Sequence, residues 1–131
     1  MSARSWYDSL AKPGWTPSPD AIGMIWNILY PIILLVNVYV IYKVSIGELP
    51  KNLLWPLLLN LLFNILFTPI QFGLQSLWLA SIDIILVWAT IVWAIIALWP
   101  QVKWGSLAFI PYLIWVSVAG YLQLSITFMN K

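Results

Sequence analysis

The 131-residue sequence contains no cysteine and no histidine. The lack of cysteine excludes both disulfide bonds and thiolate chemistry. Charged residues are also scarce, at 8% of the chain, whereas soluble domains carry roughly 25%. The formal net charge is only +2, without a block of like charges, which argues against a nucleic-acid-binding protein. The stretch from Met1 to Trp15 also lacks the apolar core of a cleavable signal peptide.

Apolar side chains, by contrast, are abundant. Hydrophobic residues make up 63% of the chain, and its mean hydropathy is +0.92. We therefore predict a multi-pass integral membrane protein that consists of a single domain, residues 1–131.

Charged residues, and the short polar connection 73–76 between the second and third runs, divide the chain into four apolar runs. Each run is long enough to cross a hydrocarbon core of about 30 Å as a helix of roughly 20 residues. The predicted spans are 21–42, 53–72, 77–99 and 104–129. The alternating segments of about ten residues that a β-barrel needs are not seen. The sequence thus predicts an all-α fold, a four-helix transmembrane bundle. Each side of the predicted membrane carries three basic residues, so charge does not decide the orientation.

Residues 1–20, which precede the first span, combine aromatic residues with prolines. Pro13, Pro17 and Pro19 lack an amide donor, which disfavours a continuous helix. Trp6 and Trp15 make the segment too apolar for a solvated linker. We predict an ordered extended loop that lies against the first span as a lid.

The ten tryptophans fall into groups with different expected roles. Those near span ends are expected to anchor the chain at the lipid headgroups, and they are Trp55, Trp78, Trp99 and Trp104. Those inside spans have no water to bond, so each indole N–H is expected to find a partner in the bundle or a ligand. These are Trp26, Trp88, Trp93 and Trp115.

Three polar residues inside the spans are candidates for function. Asn60 and Asn64 lie four residues apart on one face of the second span, where they either bridge helices or offer amide groups to a bound polar head. Asp83 is the only carboxylate well inside a span. It is either a structural hydrogen-bond acceptor near the span end or a proton or cation site.

Prolines and a small residue predict a cavity between the helices. Pro31, Pro69 and Pro111 lie within apolar runs, where they favour kinks. Trp115 and Ala119 are four residues apart in the last span, so Ala119 leaves space beside the indole ring. We predict that this pair forms a pocket wall.

Four motifs follow one another along the chain. They are Trp6-Tyr7-x-x-Leu10-x-Lys12-Pro13-x-Trp15-Thr16-Pro17, Gly23-x-x-Trp26-x-x-Leu29-Tyr30, Leu59-Asn60 with Phe63 and Phe67, and Pro111-Tyr112-Leu113-x-Trp115-x-x-x-Ala119. Their ordered combination resembles the translocator protein family, also called TspO or tryptophan-rich sensory proteins. The resemblance covers nearly the whole chain.

The resemblance implies a five-helix fold, of which the four spans match helices two to five, so the chain resembles a member without the family's first helix. It implies a membrane receptor or sensor that binds porphyrins such as protoporphyrin IX and other hydrophobic ligands, including lipid or sterol. It allows a homodimer and requires no cofactor. The ligand-binding residues that it implies are Tyr7, Trp15, Pro17, Trp26, Asn60, Asn64, Trp115 and Ala119.

A bound porphyrin is expected to stack on indole rings, with its propionates near Arg4 or Lys12. Without histidine or cysteine there is no strong axial iron ligand, so metal-free porphyrin is expected rather than tightly held haem. Without a preceding helix, the lid is expected to be looser than in five-helix relatives and ligand binding weaker or broader.

Two alternative functions stay open. A small proton-coupled transporter would use Asp83 as its intramembrane carboxylate. A light-dependent porphyrin-degrading enzyme would exploit the oxidisable indoles beside the ligand. Enzymatic turnover is the weaker inference, because the pocket candidates contain no acid–base pair and no activated nucleophile.

Overall fold

The computed structural model of the protein describes residues 3–130, with the backbone alone for Ala3 and Arg4. The described residues form a short helix followed by long ones: α1 (Ala3–Ser9), α2 (Pro19–Ser45), α3 (Leu54–Thr68), α4 (Leu77–Leu98) and α5 (Lys103–Met129). A 3-10 turn, Lys51–Leu53, leads into α3, and a π-helical turn, Pro69–Gly73, extends it. These residues include no β-strand, which confirms the all-α prediction.

Four helical segments are long and apolar enough to cross a membrane, as predicted for a multi-pass protein. They are Pro19–Ser45, Lys51–Gly73, Leu77–Leu98 and Lys103–Met129. The first begins earlier than the sequence predicted because Ser18 caps it, its Oγ accepting a hydrogen bond from the Ala21 amide at 3.1 Å. Pro19 occupies the first turn of α2, where its missing amide costs no hydrogen bond.

The long helices form an arc in which α3 packs on α4, α4 on α5 and α5 on α2, while α2 and α3 scarcely touch. Buried apolar side chains from all four fill the centre, among them Ile33, Leu57, Ile91 and Phe109. Gly105 lets α2 approach α5, since a Cβ there would lie 3.3 Å from Val102 Cγ1 and 3.4 Å from Val36 Cγ1. The arc leaves one side of the bundle open between α2 and α3.

The prolines inside the apolar runs have different effects on helical structure. Pro31 and Pro111 lie inside α2 and α5, and both helices continue through them. Pro69 marks the change from α-helical to π-helical geometry at the end of α3. A π-helical turn is wider than an α-helical one and shifts the side chains that follow it. The last turn of the second span therefore departs from a regular helix.

The N-terminal segment is not extended throughout, because its first residues form helix α1. The prolines begin only at residue 13, so nothing in Ala3–Ser9 opposes a helix. The Tyr7 ring packs 5.9 Å from the ring of Phe72, and Leu122 and Ile126 of α5 complete this small cluster. Helix α1 thus docks where the second span ends.

The stretch after α1 is fixed to the C-terminal end of α5. The Asn130 side chain accepts a hydrogen bond from the Ala11 amide at 3.0 Å and donates one to the Ala11 carbonyl at 2.9 Å. The Trp15 ring stacks on the ring of Tyr121, 5.7 Å away. The segment therefore lies across the end of the bundle rather than projecting from it.

The tryptophans expected to anchor the chain at the headgroups are exposed near helix ends, and they are Trp55, Trp78, Trp99 and Trp104. Trp88 and Trp93, inside α4, are exposed on its outer surface. The Trp88 Nε1 donates a hydrogen bond of 3.0 Å to Ser117 Oγ. Only Trp26 and Trp115 of the four mid-span tryptophans are partly buried and packed against the core.

Candidate functional site

A cavity of about 470 Å³ lies at the end of the bundle that carries the N-terminal segment. The first half of α2, the end of α3 with its π-helical turn, and the facing parts of α4 and α5 form its walls. Tyr7 of α1 covers it, and Trp26, Phe67 and Trp115 supply aromatic surface. Its size and mostly apolar lining are typical of small-molecule sites.

The cavity is partly open between α2 and the end of α3, which make few contacts with each other. Asn27 of α2 and Thr68 at the end of α3 both line it and are both exposed. Tyr30, one turn beyond Asn27, is likewise exposed and lines the cavity. A ligand larger than the cavity has room to extend through this opening.

Five of the residues that the sequence singled out line the cavity: Tyr7, Trp26, Asn64, Trp115 and Ala119. Trp15, Pro17 and Asn60 are not among the lining residues. Trp15 is 48% exposed because its ring lies on Tyr121 at the outer side of α5. Asn60 lies deeper, wholly enclosed between helices.

Trp26 and Trp115 form an aromatic corner in the cavity wall. Their rings meet edge to face, with centroids 6.5 Å apart and planes at 82°. The Tyr30 ring stacks on Trp26 at 5.1 Å, and the Tyr112 ring meets it edge-on at 6.2 Å. The Trp115 Nε1 is buried without a hydrogen-bond partner in the described part of the chain. This corner therefore offers flat apolar surface to a ligand, while the Trp115 N–H group is enclosed by the protein.

Asn60 and Asn64, though on one face of α3, have different surroundings. Asn60 donates hydrogen bonds to the Val87 carbonyl at 3.3 Å and to Thr90 Oγ1 at 3.1 Å. It accepts one from the Tyr112 hydroxyl at 3.1 Å. Asn64 donates to the same hydroxyl at 2.7 Å and lines the cavity. Asn60 therefore bridges helices, whereas Asn64 lies between that bridge and the cavity.

Several polar lining residues were not predicted from the sequence, among them Asn27, Gln71 and Gln123. Gln71 is only 5% exposed, and its Oε1 has no partner among the described residues. The sequence offered one usable signal for Asn27, which shares a helix face with Gly23 and Tyr30 of the second motif. Gln71 had no such signal, because its direction depends on the π-helical turn.

Asp83 is buried in the interior of the bundle, about 9 Å along α4 from Leu77 at 1.5 Å per residue. It is 4% exposed and is not among the residues that line the cavity. Its Oδ2 has no hydrogen-bond partner within residues 3–130. The carboxyl group thus faces the protein interior rather than the candidate site.

Lys12 and Arg4 are the basic residues expected near the propionates of a bound porphyrin. The Lys12 ammonium donates to the carbonyl oxygens of Tyr7 at 2.8 Å and Leu10 at 2.9 Å, which closes the end of α1. The Arg4 side chain lies outside the described residues. Burial raises the pKa of the Tyr7 phenol, and Asp8 raises it further, so this hydroxyl stays neutral beside the cavity.

The sequence matches the family model described as TspO/MBR family over residues 1–129. It is 45% identical to the tryptophan-rich protein TspO of Bacillus cereus over 64% of this chain and 54% of that protein. It is 35% identical to the uncharacterized membrane protein YtaB of Bacillus subtilis over 97% of this chain and 81% of that protein. A tryptophan-rich sensory protein of Cereibacter sphaeroides is 30% identical over 68% of this chain and 56% of that protein. The matches thus span about half the length of two of these relatives.

Proposed function

Because the chain belongs to the TspO/MBR family, we propose that it is a membrane receptor for porphyrin-like and other hydrophobic ligands. The observation that carries the proposal is the cavity beneath α1, with the edge-to-face pair of Trp26 and Trp115 in its wall. A relative that bears the name tryptophan-rich sensory protein supports a role in sensing.

The proposed ligand is held by stacking and shape rather than by a metal bond. A flat macrocycle would lie against the aromatic corner, with the Tyr7 ring above it, and would extend into the opening between α2 and α3. The proposal requires no bound cofactor. The Lys12 ammonium already donates to three carbonyl oxygens, of Tyr7, Asp8 and Leu10, so the proposal gives it no role in binding propionates.

A titration with protoporphyrin IX tests the proposal. The detergent-purified protein should show saturable quenching of tryptophan fluorescence. Ala119→Leu, which places a larger side chain in the cavity wall, should weaken this binding at least tenfold, because the added volume competes with the ligand.

Ala89→Leu is the matched control, since Ala89 is exposed on the outer face of α4 and does not line the cavity. It should leave the affinity within twofold of the wild type. Absence of saturable quenching in the wild type would refute the receptor function. Equal affinities of the two variants for protoporphyrin IX would show that it binds outside this cavity.

A further inference from the structure

We infer that the cavity selects ligands that carry a hydroxyl or N–H donor at their edge, because Asn60 and Tyr112 position Asn64 with its carbonyl oxygen available to the ligand. The inference rests on the proposed function and narrows the class of ligand. Asn64 determines the specificity, and Asn60 and Tyr112 are positioning residues.

The orientation of the Asn60 side chain is fixed by two acceptors on α4. The Val87 carbonyl, 3.3 Å away, has no proton to give, so the atom that faces it must be the amide nitrogen. Thr90 Oγ1 already donates to backbone carbonyls at 2.9 Å, so it also accepts from Asn60. The Asn60 carbonyl oxygen must then point the other way, toward α5.

The same reasoning passes through Tyr112 to Asn64. The Tyr112 hydroxyl donates its only proton to Asn60 Oδ1, 3.1 Å away. Its oxygen can therefore only accept from Asn64, and the group found 2.7 Å away is the Asn64 Nδ2. The reverse orientation would set two acceptor oxygens against each other with no proton between them. Asn64 thus keeps its amide nitrogen on the network side.

The Asn64 carbonyl oxygen is left with its full capacity to accept hydrogen bonds. No side chain or backbone amide within residues 3–130 donates to it, and Asn64 is half-buried in the cavity lining. A ligand that covers this oxygen without supplying a donor strips it of other partners, which weakens binding. For Gln71 the end of the amide that faces the ligand cannot be assigned in this way, because no hydrogen-bond partner fixes its direction.

This geometry favours flat hydrophobic molecules with a peripheral hydroxyl, lactam or pyrrole N–H group. In a closed porphyrin the pyrrole N–H groups point to the centre of the ring, where a wall residue cannot reach them. Haematoporphyrin differs in carrying two hydroxyethyl groups at its edge. Its di-O-methyl ether keeps the macrocycle, the propionates and the ether oxygens but has no hydroxyl donor, so the two compounds form a matched pair.

The experiment compares the dissociation constants of this pair by tryptophan quenching. The wild-type protein should bind haematoporphyrin about fivefold to tenfold more tightly than the di-O-methyl ether, as expected for one hydrogen bond to an otherwise unpaired acceptor. Asn64→Leu, which removes the acceptor, should reduce this preference below twofold.

Tyr112→Phe tests the positioning role. Without the hydroxyl, Asn64 is free to present either end of its amide, so the preference should fall below twofold while the affinity for the ether changes little. A merely structural role for Tyr112 would weaken both ligands equally. Tyr39→Phe is the control, since it deletes a hydroxyl from a ring packed on Trp104, away from the cavity lining, and should keep the wild-type preference.

The outcomes separate this inference from the proposed function. Saturable binding of protoporphyrin IX together with equal affinities for the matched pair would overturn the inference and leave the receptor function standing. Tighter binding of the ether would also overturn it. If none of the three porphyrins binds saturably, both the inference and the receptor function fail.

Discussion

The clamp between Asn130 and the backbone of Ala11 should control how firmly the N-terminal segment covers the cavity. One amide side chain makes both hydrogen bonds, at 3.0 and 2.9 Å, across 119 residues of sequence. Asn130→Ala removes both. The Trp6 and Tyr7 contacts with Phe72 do not involve Asn130, so α1 should stay docked while the stretch after it loosens.

The expected magnitude follows from the exposure of the two bonds. Each net hydrogen bond contributes about 0.5–1.5 kcal/mol, and because both of these lie at the surface, together they should contribute about 1–2 kcal/mol. A loss of that size raises the open fraction of the segment about 5- to 30-fold, since 1.4 kcal/mol corresponds to a factor of about ten. The dissociation rate of a ligand beneath the segment should rise by a similar factor.

Amide hydrogen exchange in detergent or nanodiscs measures the change at individual residues. The Ala11 amide should lose its protection, and the Thr16 amide, bonded to the Pro13 carbonyl at 3.1 Å, should exchange faster. The Leu10 amide, bonded to Tyr7 in the last turn of α1, should change little. Asn52→Ala is the matched control. Asn52 is exposed in the turn that leads into α3, whereas the N-terminal segment docks at the other end of this span. Unchanged protection of Ala11 in Asn130→Ala would refute the clamp.

Three further outcomes are expected. Gly105→Val should lower the unfolding temperature, because a Cβ added there would lie within 3.4 Å of two side chains and overpacking costs about 1–3 kcal/mol. Gly120→Ala should not lower it, because a Cβ added at Gly120 meets open space. Asn60→Ala should cost about 1–3 kcal/mol in detergent unfolding assays, since it leaves buried partners unpaired, and more than Asn64→Ala. Asp83→Asn should keep the protoporphyrin IX affinity within twofold of the wild type, because Asp83 does not line the cavity. A larger change would show that the carboxyl group takes part in ligand binding.

The number of spans and the fold class could be predicted because they depend on the length of uninterrupted apolar runs, which is visible in the sequence. The apolar runs are long enough to cross a bilayer as helices. In lipid only helices and closed β-barrels satisfy the backbone groups, and the runs lack the alternating pattern that barrel strands need. Helix α1 was not predicted, because Pro13, Pro17 and Pro19 oppose a continuous helix over residues 1–20 but leave Ala3–Ser9 free to form one. The helix forms upstream of Pro13, and its aromatic side chains find partners on α5 and the π-helical turn.

The candidate site was predictable in part. The need of a mid-span indole for a partner did not separate Trp26 and Trp115 from Trp88 and Trp93, which do not line the cavity. Trp26 entered the predicted site through the resemblance. Trp115 and Ala119 were paired because a small residue one turn away leaves space beside the ring. Trp15 and Pro17 came from the resemblance alone. The structure places Trp15 against Tyr121 on the outside of α5, a pairing that no local pattern reveals. The role of both residues in binding stays a prediction.

The different environments of Asn60 and Asn64 show what a single-helix pattern leaves undetermined. Their spacing places both on one face of α3, and the sequence could not say which bridges helices and which meets a ligand. The structure separates them through Tyr112 of α5, whose hydroxyl accepts from one and donates to the other. The hydrogen-bonding character of the cavity wall at Asn64 is therefore decided by a residue on another helix. Substitutions at Tyr112 should alter ligand preference even though Tyr112 does not line the cavity.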